Sequence, residues 1–294
     1  MASVCRQRGL AVTVVERAEN PLVGPLGGVI GDVAAGLHRA AGVDLRCNVT
    51  VEALEGSGGR FRAASLSDGT TVEAGLAVVA LGALRNTEWL ADSGLACGPL
   101  GVSCDPGGRA YAVDGMAVDD VFAAGDVARF PHALYEYEFL ALEHWENAVI
   151  GAQVAAHNMI CDSPDRRPHV SVPVFWSVQF GTNIKSVGVP ALADQILVTQ
   201  GSAKEGRFAA AYLDGDRIVA AVTFNHGRYL EYYRHLIERA APAPAPVGDA
   251  QGNVAEDARF PDPAAPYEMP TVIVSGRSPT RMEARRLPAG KEHR

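Results

Sequence analysis

The sequence predicts an α/β protein: a parallel nucleotide-binding βαβ unit at the start, further α/β structure behind it, and a strand-rich C-terminal part. Three observations predict this. Residues 10–15 read Leu-Ala-Val-Thr-Val-Val, β-branched and almost continuously apolar, as a strand buried on both faces of a parallel sheet must be. A second apolar run, residues 120–124, leads straight into Gly125-Asp126. Residues 170–224 then alternate short strand-like runs with turns.

The opening stretch, MASVCRQRGLAVTVVERAE, reads as the tail of a helix, a strand, and then an acid, Glu16. In dinucleotide-binding folds an acid at that strand end accepts hydrogen bonds from the adenosine ribose, about 20 residues after the first glycine of G-x-G-x-x-G. Counting back by that spacing lands before Met1, and the motif occurs nowhere in the 294 residues. Gly27-Gly28-Val29-Ile30-Gly31 comes nearest, but it follows Pro25 and an irregular stretch rather than a strand. Glu16 is therefore either a ribose-binding acid or a solvated strand end. A helix is expected over 28–41 and a strand over 43–47. Three short strands, at 50–54, 60–66 and 70–73, are punctuated by Gly56-Ser57-Gly58-Gly59 and Asp68-Gly69 and make an antiparallel meander. Residues 76–81, Leu-Ala-Val-Val-Ala-Leu, are the next core strand, ended by Gly82. A long helix is expected from about Glu138 to Met159, a linker from Pro164 to Pro168, and a closing helix over 229–239. From Ala240 to Arg294, Ala-Pro repeats with few aromatics read as a disordered tail.

Composition narrows the function. A net charge of -8 argues against a nucleic-acid or anionic-membrane partner. No apolar run approaches the ~20 residues that span a bilayer, and no signal peptide is visible. Five scattered cysteines without C-x-x-C spacing argue against a disulfide framework and against a zinc or iron–sulfur site. A reduced, cytoplasmic protein is expected, with no metal.

DVFAAGDVARF is the most informative segment. Gly125 allows a ligand close to the backbone. Asp126 stands at a strand's C-terminal end, where α/β sheets bind ligands. It either accepts from a ligand hydroxyl or caps the following helix.

VFAAGDVARF resembles the second FAD fingerprint of the flavoproteins with two dinucleotide-binding domains. LEHWENAVIGAQVAAHNM and VPVFWSVQFGTNIKSVG resemble the ferredoxin reductases that serve cytochromes P450 and ring-hydroxylating dioxygenases, to which apoptosis-inducing factor is related. The likeness covers about residues 1–239. It implies an α/β, partial two-dinucleotide-binding-domain flavoprotein fold, Rossmann-like in its NAD and FAD parts, with an α+β C-terminal reductase domain. The implied division is 1–100 partial NAD domain, 101–162 C-terminal part of the FAD domain, 168–239 reductase domain and 240–294 tail. It also implies that the chain opens inside the first helix of the NAD domain, without the first FAD segment and without the NAD glycine loop. A mis-set start, a split gene or a decayed copy would each give that.

The resemblance implies FAD and NAD(P)H as cofactors. NADH is favoured because the charge of Glu16 repels a 2′-phosphate, although Arg17 stands beside it. Gly82 resembles the glycine of a G-x-x-P motif lying against the NAD, with Arg85 where proline is usual. Gly125 and Asp126 resemble the turn that holds the FAD ribitol. Trp145 resembles the position beside the flavin pyrimidine edge, against a plain reading as helix packing, and His144 is its neighbour. Trp176 and Gln179 match a stretch that approaches the flavin, with Val178 in place of an aspartate. His132, His157, His169, His226 and His235 are expected on the surface or in packing. No side chain is expected to act as acid or base. The implied reaction passes electrons from NAD(P)H through FAD to a ferredoxin-type iron–sulfur protein, with a cytochrome P450 or oxygenase downstream. A non-catalytic remnant or one part of a split reductase is the alternative.

Overall fold

The computed structural model describes residues 1–242. Helix α1 (Ala2–Gln7) leads into strand β1 (Thr13–Glu16), and α2 (Val23–Leu26) and α3 (Gly28–Ala40) return the chain to β2 (Asp44–Cys47). β1 and β2 are parallel, from Thr13 opposite Asp44 to Glu16 opposite Cys47. This is the expected βαβ unit, with a shorter first strand: residues 10–12 lie outside it because β2 offers only four residues of ladder. Arg6 fastens α1 by donating from Nε to the Ala41 carbonyl at 2.9 Å and from Nη1 to the Leu10 carbonyl at 2.8 Å.

The meander forms as expected, with β3 (Val51–Ser57), β4 (Arg60–Leu66) and β5 (Thr71–Glu73) in sequential antiparallel order. Asp68 shapes the second turn, accepting from the Thr70 amide at 2.9 Å. The expected core strand at 76–81 is absent. Those residues are irregular, and Leu76, Val79 and Leu81 are 78%, 67% and 89% exposed. A strand exists only where a neighbour takes its backbone groups, and no described strand lies alongside.

Short strands follow: β6 (Cys97–Gly98), β7 (Gly101–Ser103), β8 (Arg109–Tyr111), β9 (Ala117–Phe122), β10 (Ala128–His132) and β11 (Glu138–Leu140). β8 and β9 form an antiparallel hairpin, while the other four order as β11-β10-β7-β6, with β7 and β10 parallel. Helix α4 (Trp145–Ile160) begins seven residues later than the expected Glu138. Glu136 and Tyr137 take left-handed backbone, φ 53° and 59°, and turn the chain back, so Glu138–Leu140 pairs with β10 instead.

The C-terminal part is one antiparallel sheet of β12 (Val174–Gln179), β13 (Thr182–Gly188), β14 (Gln195–Ser202), β15 (Arg207–Asp214) and β16 (Arg217–Phe224), ordered β12-β13-β16-β15-β14, and closed by α5 (Leu230–Glu238). β15 and β16 are its buried centre, with Phe208 stacked on Phe224 at 4.7 Å. Buried Tyr233 of α5 donates its hydroxyl to Gln200 Oε1 at 2.8 Å and also meets Thr199 Oγ1. Gly188 has φ +83°, and a Cβ there would lie 2.2 Å from the Val219 carbonyl oxygen, so only glycine fits.

The N-terminal part docks on this sheet. Leu26 and Ile30 join its core, and Tyr212 donates its hydroxyl to the Leu26 carbonyl. Gly27 packs against Ile196 and Tyr212, which makes the Gly27–Gly31 cluster a helix–sheet contact rather than a phosphate loop. His38 meets Gln179 Oε1 at 3.0 Å, and Phe180 donates its amide to Ser3 Oγ at 3.1 Å. The expected disordered tail from Ala240 lies, beyond Pro242, outside the described residues.

Candidate functional site

The β9 strand ends at Phe122, and Gly125–Val127 makes one 3₁₀ turn before β10. Gly125 has φ +76°, and a Cβ added to it would meet only Ala148 Cβ of α4, at 3.7 Å. The first turns of α4 therefore lie directly against the glycine–aspartate turn. Asp126 is exposed and its carboxylate makes no capping bond, so the helix-cap alternative is not what the turn uses it for.

His144 precedes α4 in extended conformation, φ -126° and ψ 139°. Its Nδ1 is buried without a hydrogen-bond partner. Burial pushes its pKa below the ordinary histidine value, while the Asp126 and Glu143 carboxylates pull the other way. Trp145, the first helical residue, is 75% exposed. Asn147 is buried and donates from Nδ2 to the Leu142 carbonyl at 2.9 Å, but its Oδ1 is buried without a partner. Buried polar atoms normally find partners. Two that lack one, beside an exposed tryptophan, a free carboxylate and the amide end of a 16-residue helix, fit the polar edge and hydroxylated chain of a flavin.

A small cleft beside this turn is lined by Gly107, Gly108, Gly125, Asn147, Gly151 and His169. His169 stacks on Phe130 at 4.8 Å and bonds through Nε2 to Ser171 Oγ at 2.7 Å. His132 donates from Nε2 to the Ser171 carbonyl at 3.0 Å, which leaves its Nδ1 a buried lone pair. Burial lowers both pKa values, that of His169 to about 4, with His132 adding repulsion. His132, His169 and His226 are buried packing residues, and His235 is exposed, as expected.

The structure thus brings Gly125, Asp126, His144 and Trp145 together. Gly82, with φ +85°, sits in the open segment before Arg85. Arg85 joins that segment to the site, donating from Nε to the Asp126 carbonyl at 2.9 Å and from Nη2 to Glu143 Oε1 at 2.7 Å. Glu16 and Trp176 stand on other elements. Glu16 ends β1, and its Oε1 accepts from the Ala18 amide at 2.9 Å. Across the ladder, burial raises the Cys47 thiol pKa; Arg39 lowers it, and Glu16 adds a smaller upward push. Trp176 is 56% exposed on β12, opposite Lys185. Sequence reasoning missed Arg85, Glu143 and Asn147 as parts of the site. The one available signal was Arg85 itself, in a place where proline was expected.

Residues 1–152 match the family model of the pyridine nucleotide-disulphide oxidoreductases. The chain belongs to that family. Residues 174–256 match a second model, the reductase C-terminal domain, so the two matches follow one another in the order the flavoprotein fold requires. The probable ferredoxin reductase CtmF of Castellaniella defragrans is 34% identical over 222 residues, 76% of this chain and 51% of the relative. Apoptosis-inducing factor 3 of Homo sapiens is 28% identical over 226 residues, 77% of this chain and 36% of the relative. Among solved structures, the covalent putidaredoxin reductase–putidaredoxin complex aligns with a TM-score of 0.72 at 27% identity, covering 82% of this chain and 55% of that one. The chain spans between 36% and 61% of the length of such curated relatives. Its fold is the α/β flavoprotein fold of this family, in part, with the family's C-terminal reductase domain.

Proposed function

We propose that this chain is the C-terminal portion of an FAD-dependent NAD(P)H oxidoreductase that passes electrons to a ferredoxin-type iron–sulfur protein, in turn serving a P450 or oxygenase, in the cytoplasm. The observation that carries the reading is the Gly125–Asp126 turn seated on the amino end of α4, with His144 Nδ1 and Asn147 Oδ1 buried and unmatched. Residues 1–100 are the partial NAD part, 101–162 the FAD part and 168–239 lie in the reductase domain. FAD, when bound, would supply the hydride-accepting and one-electron-donating chemistry.

The chain's own residues bind and orient. Asp126 accepts from a ribityl hydroxyl, and Gly125 keeps the approach clear. The α4 amides favour negative charge at the flavin's pyrimidine edge, with His144 and Trp145 beside it, and Trp176 approaches from β12. Gly82 lies against the nicotinamide dinucleotide. Glu16 receives the ribose and disfavours a 2′-phosphate, which supports NADH over NADPH. A net charge of -8 speaks against nucleic acid or an anionic membrane, and no helix among the described residues is long and apolar enough to cross a membrane.

The test is a flavin titration of the full chain and its Asp126→Ala variant, followed by fluorescence quenching. Saturable but weak binding is expected, because no described strand–glycine turn–helix cradles the FAD phosphates. The variant should bind about one to two decades more weakly, the worth of a hydrogen bond to a charged group. Equal binding by both proteins would overturn the assignment.

A further inference from the structure

β12 is an edge strand of the C-terminal sheet, and among the described strands it pairs with β13 alone. Its side chains alternate between two faces. Trp176 and Val178 are 56% and 65% exposed on one, while Ser177 and Gln179 point to the other and are partly buried. A strand paired on one side, with one face bare, opens more readily than the centre of its sheet. What anchors it comes from outside the sheet. His38, in the last turn of α3, is 8% exposed, and its Nε2 meets Gln179 Oε1 at 3.0 Å. Gln179 spends its Nε2 on Ser177 Oγ at 3.2 Å, so its Oε1 accepts and His38 carries the proton on Nε2. A hydrogen-bond chain therefore runs from His38 through Gln179 to Ser177 along the inner face of β12. It ends on the residue between Trp176 and Val178.

The turn after β12 is built around the same histidine. Phe180 and Gly181 join β12 to β13 with φ 50° and 79°, a two-residue turn for which Asn-Gly is the usual choice. Left-handed backbone is costly for a bulky side chain and persists only where the surroundings hold it. Here the Phe180 ring meets the His38 ring edge-on, with centroids 4.9 Å apart and planes at 75°. Its amide donates to Ser3 Oγ of α1 at 3.1 Å. Two independent contacts, a hydrogen bond and a ring contact, thus converge on His38 from consecutive residues of one hairpin.

We propose that His38 is a positioning residue for Trp176. From the crossover helix between β1 and β2 it fixes the edge strand, and with it the place where the tryptophan stands. The proposal deepens the reading above and rests on it for the role of Trp176 beside the flavin, while the pinning of the strand stands on the contacts alone. It makes the βαβ crossover and a flavin-facing side chain parts of one tie, with no cofactor between them.

The test uses the full chain without flavin, so a failure of the pinning shows here and a failure of the flavin reading shows in the titration above. Of the three tryptophans, Trp89 and Trp145 are replaced by Trp89→Phe and Trp145→Phe, which leaves Trp176 as the sole emitter. Its fluorescence anisotropy decay is read beside hydrogen exchange by mass spectrometry. His38→Leu removes the donor and keeps the bulk, whereas His38→Gln keeps a donor at similar reach. In His38→Leu, exchange over 174–180 should quicken about 2- to 10-fold, the worth of one hydrogen bond. The fast component of the Trp176 decay should grow, while β15 and β16 exchange as in the parent. Gln179→Met, which removes the acceptor instead, should behave alike, and His38→Gln should restore both readouts. Unchanged exchange and decay in His38→Leu and Gln179→Met would overturn the proposal. So would equal loosening of β15 and β16, which would make His38 a general packing residue, or a glutamine variant that behaves as the leucine one does.

Discussion

Acidification should destabilise this protein from beneath the Gly125–Asp126 turn. His169 is 4% exposed, stacked on Phe130 and within 6.3 Å of His132, and its pKa lies at about 4 against an ordinary 6.5. The folded state holds it neutral while the unfolded chain lets it charge. Its contribution is therefore complete above pH 6.5 and is lost as pH falls from there to about 4. At pH 5 the loss is about 2 kcal/mol, or a fall in Tm of about 4–8 °C for a chain of this size. His132 pushes the same way, since a second proton on its ring would sit on a buried nitrogen without an acceptor. The assay is thermal unfolding by circular dichroism from pH 7.5 to 4.5, for the parent and for His169→Gln. Glutamine can still bond Ser171 but cannot titrate, so the variant should lose about 2 kcal/mol less between pH 7 and 5. Parallel pH profiles for the two proteins, or an NMR titration placing His169 near 6.5, would refute the reasoning.

Three further outcomes are expected. Asp126→Ala should leave the thermal stability of the flavin-free protein within about 0.5 kcal/mol, because its carboxylate caps nothing; calorimetry checks this. Gly188→Ala should cost at least about 3 kcal/mol, strain plus overlap, since the new Cβ would meet backbone at 2.2 and 2.7 Å; urea unfolding of the C-terminal sheet reads it. Tyr233→Phe should cost about 0.5–1.5 kcal/mol by removing the hydroxyl shared with Gln200 and Thr199, which keep their bond to each other, with near-native circular dichroism and a lower urea midpoint.

The parts of the fold that could be read from sequence are those whose pattern is local. The βαβ crossover around α3, the Asp68 turn of the meander and the alternation of residues 170–224 all carry their own periodicity or turn chemistry. Residues 76–81 were misread because a strand is a property of a pair, and its pattern cannot say whether the partner is present. Residues 138–144 were misread because their helical composition gave no sign of the left-handed backbone at Glu136 and Tyr137. Within the site, Gly125, Asp126, His144 and Trp145 stood out through their motifs and are adjacent in space. Asn147 and Glu143 did not, because a lone pair without a partner and a salt bridge to Arg85 are visible only once the elements are packed.

Arg85 has a mechanical consequence. Its guanidinium is the strut between an unpaired length of chain and the carbonyl of Asp126, with Glu143 gripping its far nitrogen next to His144. The bond to Asp126 has the ordinary length of 2.9 Å and the one to Glu143 is short at 2.7 Å. If residues 75–84 straighten into a sheet, the pull arrives at the carbonyl of one proposed ligand residue and at the neighbour of another. Order on the nucleotide side would then be felt as a change of tension at the turn, and Arg85→Ala would leave each side to settle without news of the other.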